Sequence, residues 1–118
     1  MSPAETINYL EIPSQDLARS KAFFSDVFGW TFVDYGSDYS AFSAAEAGID
    51  GGFARTDDKI PPTGILIVLY STDLAAIQAK IERAQGVITQ AVFSFPGGRR
   101  FHFTDPNGTE YAVWSDQI

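Results

Sequence analysis

The hydrophobic and polar residues of the chain follow one order twice, and each copy begins with a strand-like stretch before a helix. In the first copy, residues 7–12 alternate between apolar and polar side chains, which is typical of a strand with two different faces, and Pro13 is expected to end it. Residues 17–28 then carry apolar side chains near helical spacing. Asp16 and Gly29 have the residue types of a helix N-cap and a left-handed stop, so the pattern predicts a helix over residues 17–28.

The second copy opens on residues 64–70, an apolar run that predicts a strand buried on both faces. Asp73 is expected to cap a second helix over residues 74–85, with Gly86 as its stop. Several residues recur 57 positions later, which indicates a duplication. They are Asp16, Leu17, Ala18, Ala22 and Gly29 in the first copy, and Asp73, Leu74, Ala75, Ala79 and Gly86 in the second.

Three shorter stretches after each helix predict the remaining strands. They span residues 30–35, 39–44 and 49–55 in the first half, and 87–94, 99–104 and 109–115 in the second. The turn-forming residues 105–108, Asp-Pro-Asn-Gly, predict a hairpin between the last two strands. The pattern therefore predicts an α+β fold of two tandem β-α-β-β-β modules, over about 5–55 and 64–118, joined by a linker at 56–63.

Composition narrows the class of protein. A chain of 118 residues with 45% hydrophobic residues suits one domain over residues 1–118, and the absence of cysteine excludes disulfides, thiolate metal sites and a cysteine nucleophile. The net charge of −7 disfavours nucleic acid and anionic membranes and favours neutral or cationic small molecules. Because residues 1–8 lack a signal pattern and the longest apolar stretch, 65–70, is too short to cross a bilayer, we expect a cytoplasmic protein.

Three motifs carry a resemblance to a known family. They are IPSQDLARSKAFF at 12–24, FGW at 28–30 and FTDPNG at 103–108. With them the chain resembles the vicinal oxygen chelate superfamily, which includes glyoxalase I, bleomycin-resistance proteins, fosfomycin-resistance enzymes and extradiol dioxygenases. The resemblance implies a glyoxalase-like fold, in which two modules form a curled sheet around one small-molecule cavity, commonly in a homodimer. It does not determine the activity, because one fold hosts many chemistries.

The resemblance also assigns positions to the divalent metal that enzymes of this family hold with His and Glu side chains. These positions are Tyr9, Gly52, Leu66 and Ala112. None of the four is a usual ligand, and the single histidine, His102, excludes a site with two histidines from one chain. We therefore expect the usual metal site to be absent and predict no cofactor, while a divalent metal held by unusual ligands stays open.

Strand alternation selects the candidate site residues. If Leu10 and Ile12 face the first helix, Tyr9 and Glu11 point to the cavity, and the same argument applies to the second half. The candidate catalytic residues are Glu11 and His102. The candidate ligand-binding residues are Tyr9, Tyr70, Arg100, Glu110 and Trp114.

Each candidate also has a structural alternative. His102 could hydrogen-bond a neighbouring strand or the loop at Asp105, and Glu11 could form an ion pair with Arg99 or Arg100. The aromatic candidates could belong to the core or to a dimer interface, and the arginines to a solvated strand edge.

Three functions follow from these residues. The first is a binding protein that sequesters an antibiotic or metabolite in an aromatic, acidic cleft. The second is a lyase, isomerase or dioxygenase-type enzyme in which Glu11 and His102 share acid and base work on a small carbonyl compound, with or without a divalent metal. The third is a diverged family member whose partner is another protein.

Overall fold

A computed structural model describes residues 4–117 of the chain, which divides into two compact units between Asp58 and Lys59. The first unit contains β1 (Tyr9–Ser14), α1 (Leu17–Phe28), β2 (Val33–Asp34), β3 (Tyr39–Phe42), α2 (Ala44–Ala47) and β4 (Asp50–Arg55). The second contains β5 (Ile67–Tyr70), α3 (Leu74–Arg83), β6 (Val87–Phe95), β7 (Gly98–Thr104) and β8 (Glu110–Ser115).

Both units use the same strand order. The first sheet runs β1-β4-β3-β2 and the second β5-β8-β7-β6, so in each unit the last strand lies beside the first. That pair is parallel in both units, and the other neighbours are antiparallel. The shared order confirms the predicted α+β class and the repeated β-α-β-β-β arrangement. The boundary between the units lies within segment 56–63, and a single domain around one cavity stays a prediction.

The first helix begins and ends where the sequence predicts. The Asp16 carboxylate accepts a hydrogen bond from the Arg19 backbone N–H at 3.2 Å, and Gly29 ends the helix in the left-handed region with φ 74°. The helix buries Phe24 completely against the aromatic rings of Trp30 and Phe53, whose centroids lie 4.9 and 5.4 Å away. This aromatic cluster holds α1 on the first sheet.

The second helix is shorter than predicted. Asp73 caps it as expected, accepting from the Ala76 N–H at 3.0 Å, but α3 ends at Arg83 rather than at residue 85. Gln85, with φ 75°, takes the left-handed conformation that the sequence assigns to Gly86. Gly86 instead donates its N–H to the Ile81 carbonyl at 2.8 Å. The left-handed residue that follows the helix therefore comes one position earlier in the second unit than in the first.

Two predictions about the first strand of each unit are wrong. Strand β1 continues through Pro13 to Ser14, because it lies at the sheet edge, where a missing N–H is tolerated. Strand β5 spans only Ile67–Tyr70 and is not buried on both faces, since Val68 and Tyr70 are 42% and 47% exposed. These two residues lie on the sheet face opposite the one that holds fully buried Val113.

The first half also departs from its predicted strands around residues 30–47. Strand β2 has only two residues because Trp30 and Phe32 pack with Phe42, while Thr31 donates its N–H and hydroxyl to Glu46 at 2.8 and 2.6 Å. Helix α2, which was not predicted from the sequence, holds Glu46 in place for this contact. A Ser followed three residues later by Glu, here Ser43 and Glu46, is the signal that could have found it.

The predicted hairpin between β7 and β8 is confirmed. The Asp105 carbonyl accepts from the Gly108 N–H at 2.9 Å, and Gly108 has φ 81°. The Asp105 carboxylate accepts from the N–H groups of Asn107 and Thr109 at 3.0 and 3.1 Å. Burial raises the pKa of the Asp105 carboxyl, although these hydrogen bonds act in the opposite direction.

The different ends of the two helices give a stability prediction. Left-handed backbone costs an L-residue about 1 kcal/mol, so Gln85→Gly should raise the free energy of unfolding by about 0.5 kcal/mol, measured by urea denaturation. Gly29→Ala is the matched control and should lower it by about 1 kcal/mol, because an added Cβ meets no atom within 4 Å and only the backbone is strained. A loss of stability in Gln85→Gly would contradict the assigned conformation.

Candidate functional site

The second sheet carries most of the predicted site residues on one face. In its register, Arg100 lies opposite Trp114 and His102 opposite Ala112, while Tyr70 pairs with Trp114 from the other side. Thr104 and Glu110 form the next pair with the same orientation. We call this surface the second-sheet face and define it by Tyr70, Phe93, Phe95, Arg100, His102, Glu110 and Trp114. It includes all five of the predicted site residues that belong to the second unit.

His102 and Glu110 form a hydrogen-bonded pair on this face. The Nδ1 atom of His102 lies 2.8 Å from Oε2 of Glu110, and His102 is only 7% exposed. Within residues 4–117, the buried Nε2 atom of His102 has no hydrogen-bond partner. Glu110 was predicted from the sequence to contact a ligand. In the structure its carboxylate is hydrogen-bonded to the His102 ring and so holds that ring in place.

Aromatic rings surround the polar groups of the second-sheet face. The guanidinium of Arg100 lies 5.4 and 5.7 Å from the ring centroids of Phe93 and Phe95. Phe93 also lies 5.8 Å from the His102 ring, and Phe95 lies 6.3 Å from Trp114. The rings of Phe93, Phe95 and Trp114 remain partly exposed. The face thus combines apolar contact area with a few polar groups.

Sequence reasoning missed Phe93 and Phe95. Their alternation along β6 could have placed them on one face, and pairing of Phe93 with Arg100 identifies which face that is. Register shifts between Ile88 and Gln90, and between Gln90 and Phe93, interrupt the simple period of two along this strand. The shifts explain why alternation alone did not assign β6.

Tyr70 lies at the edge of the second-sheet face and is tied to the C-terminal segment. Its hydroxyl donates to Oδ1 of Asp116 at 2.5 Å, and this hydrogen bond raises the pKa of the Tyr70 phenol. The Tyr70 ring meets Trp114 edge-on at a centroid distance of 5.1 Å. Both contacts fix an aromatic side chain that is nearly half exposed.

The first unit holds the other two predicted site residues. Tyr9 and Glu11 lie on the exposed face of β1, opposite Leu10 and Ile12, which turn toward the core. That this face borders a ligand cavity stays a prediction. The hydroxyl groups of Tyr9 and Tyr39 are hydrogen-bonded. Burial, together with this bond and with the nearby Glu11 carboxylate, raises the pKa of the Tyr39 phenol. The proposed ion pair of Glu11 with Arg99 or Arg100 would join residues of different units and stays a prediction.

Three of the four positions that the resemblance assigns to metal ligands, Gly52, Leu66 and Ala112, have no donor atom in their side chains. Tyr39 occupies the space above Gly52, since a Cβ at that position would lie 2.5 Å from the Tyr39 hydroxyl oxygen. Ala112 is fully buried, and neither it nor Leu66 has a donor atom in its side chain. Among residues 4–117, no three His, Cys, Asp or Glu side chains are grouped so that they could hold a metal ion.

A separate groove of about 630 Å³ lies on the first unit beside the end of α1. Its lining includes Lys21, Ser25, Trp30 and Asp34, and none of the predicted site residues. The Lys21 ammonium donates to the Asp34 carboxylate at 3.0 Å across this region. The hydrogen bonds from Ser40 and then from Lys21 lower the pKa of Asp34.

Among the described residues, no helix has the length and apolar character needed to cross a membrane.

Comparison with curated proteins finds relatives of similar sequence. The chain is 29% identical to the anthracycline biosynthesis protein DnrV of Streptomyces peucetius, over 90% of this chain and 45% of that protein. The chain thus spans less than half the length of this curated relative.

Solved structures of low sequence identity share the fold. A glyoxalase/bleomycin resistance protein/dioxygenase family enzyme from Burkholderia phytofirmans PsJN matches with a TM-score of 0.80 at 12% identity, over 92% of this chain and 96% of that one. The E126Q mutant of the fosfomycin resistance protein FosX from Listeria monocytogenes, complexed with Mn(II) and 1S,2S-dihydroxypropylphosphonic acid, matches with a TM-score of 0.81 at 15% identity. That match covers 98% of this chain and 93% of the other.

A family model matches residues 6–113, which is nearly the whole chain. The match agrees with the repeated β-α-β-β-β units and with the motifs at both ends of the sequence. The chain therefore belongs to the Glyoxalase/Bleomycin resistance protein/Dioxygenase superfamily.

Proposed function

We propose that the protein binds a planar aromatic small molecule on the second-sheet face, without a metal at the usual positions of the family. The observation that carries this proposal is the group of partly exposed rings of Phe93, Phe95 and Trp114 around Arg100 and His102. Ligand sites combine apolar and aromatic walls with a few placed polar groups, and this face has that composition.

The energetics of ring contacts support an aromatic ligand. Aromatic pairs in offset or edge-to-face contact contribute about 0.5 to 1.5 kcal/mol beyond the area they bury. Trp114 and Tyr70 already show an edge-to-face arrangement, which leaves ring surface free for a further stacking partner. A ligand with fused planar rings would gain most from this surface.

The relatives give independent support. The printed name of the Streptomyces peucetius protein refers to anthracycline biosynthesis, and anthracyclines are fused-ring aromatic compounds. The net charge of −7 favours a neutral or cationic ligand over an anionic one. Sequestration of such a compound is the role we assign to the protein.

Ligand binding can be tested by isothermal titration with a fused-ring anthraquinone. Trp114→Leu should raise the Kd about tenfold, because it removes the largest ring of the second-sheet face. Tyr70→Leu should raise the Kd less. Tyr35→Leu is the matched control, an exposed tyrosine outside this face, and should leave the Kd unchanged. Equal affinities in all four proteins, or no binding to the wild type, would contradict the proposal.

Metal independence is a separate prediction. Because Gly52, Leu66 and Ala112 supply no ligand atoms from their side chains, elemental analysis should find well under one divalent metal per chain. The melting temperature should not rise with added Ni²⁺, Mn²⁺, Fe²⁺ or Zn²⁺. Stoichiometric metal, or stabilisation that grows with metal concentration, would show that unusual ligands hold a metal and would favour a lyase or dioxygenase.

A homodimer is the assembly we propose. Several large apolar side chains are more than 40% exposed in the described chain, and packing against a second copy would remove such side chains from water. They include Ile7, Val33, Ile65 and Val68. Sedimentation should therefore give about twice the chain mass of 12.9 kDa. The first variant to try is Ile65→Asp, because Ile65 is 95% exposed. A monomer at micromolar concentration would contradict this assembly.

The cytoplasm remains the compartment we expect, in keeping with a chain without cysteine.

The second candidate function is general acid–base catalysis on a small carbonyl compound, and the His102–Glu110 pair favours it. A histidine whose Nδ1 is bonded to a carboxylate has its other nitrogen available for proton transfer. The proposal keeps Glu11 as the second group. If turnover is found, Glu11→Gln and His102→Gln should each lower it at least a hundredfold, and unchanged turnover in either variant would reject that residue.

A further inference from the structure

We infer that the His102–Glu110 pair selects ligands with an aromatic hydroxyl group, which donates its hydrogen bond to Nε2 of His102. This inference rests on the proposed aromatic ligand and names the chemical group that the same face recognises. It changes the role of Glu110 from a ligand contact to a positioning residue for the His102 ring.

The direction of the hydrogen bond follows from the chemistry of the two side chains. An ionised carboxylate only accepts hydrogen bonds, so the Nδ1 atom of His102 must donate to Glu110 across the 2.8 Å contact. In a neutral imidazole the other nitrogen then carries a lone pair and no proton. In the neutral ring, Nε2 of His102 is therefore an acceptor and needs a donor as its partner.

No such donor is present within residues 4–117. Nε2 of His102 is buried and unpartnered, and the whole residue is 93% buried. A buried acceptor without a partner has lost its hydrogen bond to water and gained none in return, which costs free energy. A ligand hydroxyl that donates to it would offset this cost. The neighbouring ring of Phe93, 5.8 Å from the His102 ring and partly exposed, is the side chain we expect to move when the hydroxyl enters.

Arg100 adds a hydrogen-bond donor beside the His102 acceptor, and this donor further restricts which ligands fit the face. Its guanidinium can only donate, and its buried Nε atom also has no partner in the described residues. A donor therefore lies two residues from the His102 acceptor on the same strand face. A ligand with one hydroxyl and one carbonyl on its rings would satisfy both groups, whereas a purely hydrocarbon ring would satisfy neither.

The first test compares two planar probes that differ in one hydrogen-bond donor, 2-naphthol and 2-methoxynaphthalene, by isothermal titration. The wild type should bind 2-naphthol about tenfold more tightly. His102→Phe keeps a ring against Phe93 but removes Nε2, and should bind both probes equally. Glu110→Leu frees the imidazole to carry its proton on either nitrogen and should reduce the preference for 2-naphthol at least threefold.

A second measurement needs no variant. His102 is the only histidine of the chain, so ¹⁵N-histidine labelling gives one imidazole spectrum. In the neutral ring the proton should reside on Nδ1, and 2-naphthol but not 2-methoxynaphthalene should shift the Nε2 resonance. A proton on Nε2, or equal shifts with both probes, would overturn the inference even if the variants fail to fold.

The outcomes separate this inference from the proposed function. If both probes bind with equal affinity and Trp114→Leu weakens both, hydroxyl selection is wrong and aromatic binding stands. If neither probe binds but a fused-ring anthraquinone does, hydroxyl selection is again wrong. If no planar compound binds, the proposed function itself fails.

Discussion

The register of β7 against β8 is the constraint on which the candidate site depends. Phe101, Phe103, Tyr111 and Val113 are almost completely buried on one face of the second sheet. Because side chains alternate along a strand, this burial forces Arg100, His102 and Glu110 onto the opposite face. A slip of β7 by one residue would turn Arg100 and His102 toward the core and expose large aromatic rings, so the apolar core specifies where the polar chemistry lies.

The two units show how one topology comes to carry different chemistry. In the first, Gly52 leaves room for the Tyr39 phenol, which bonds Tyr9 near Glu11. In the second, Ala112 is also small, and the polar side chains of His102 and Glu110 occupy neighbouring positions of the same face. Small residues at the assigned metal positions thus accompany a phenol group in one copy and an imidazole–carboxylate pair in the other.

Membership of the superfamily and the assignment of a site answer different questions. The fold is shared with structures of 12% to 15% identity, which is too low to transfer residue roles. We therefore infer an aromatic ligand from rings and polar groups of this chain, above all from Phe93, Phe95 and Trp114. Neither Phe93 nor Phe95 belongs to the motifs that identify the family.

The sequence by itself determined the features that depend on neighbours along the chain. Capping by Asp16 and Asp73, the stop at Gly29 and the turn at Asp105 are local, because a side chain bonds backbone only a few residues away. For the same reason, alternation separated Tyr9 and Glu11 from Leu10 and Ile12 on β1.

Tertiary structure decided what depends on residues far apart in sequence or on strand position. The exposure of β5 and the passage of β1 through Pro13 follow from edge positions, which only the strand order reveals. The bond between His102 and Glu110 needs the β7–β8 register, and the place of Phe93 needs the register shifts of β6. Periodicity assigns a side chain to a face, but pairing across strands decides which polar atom it meets and which one remains without a partner.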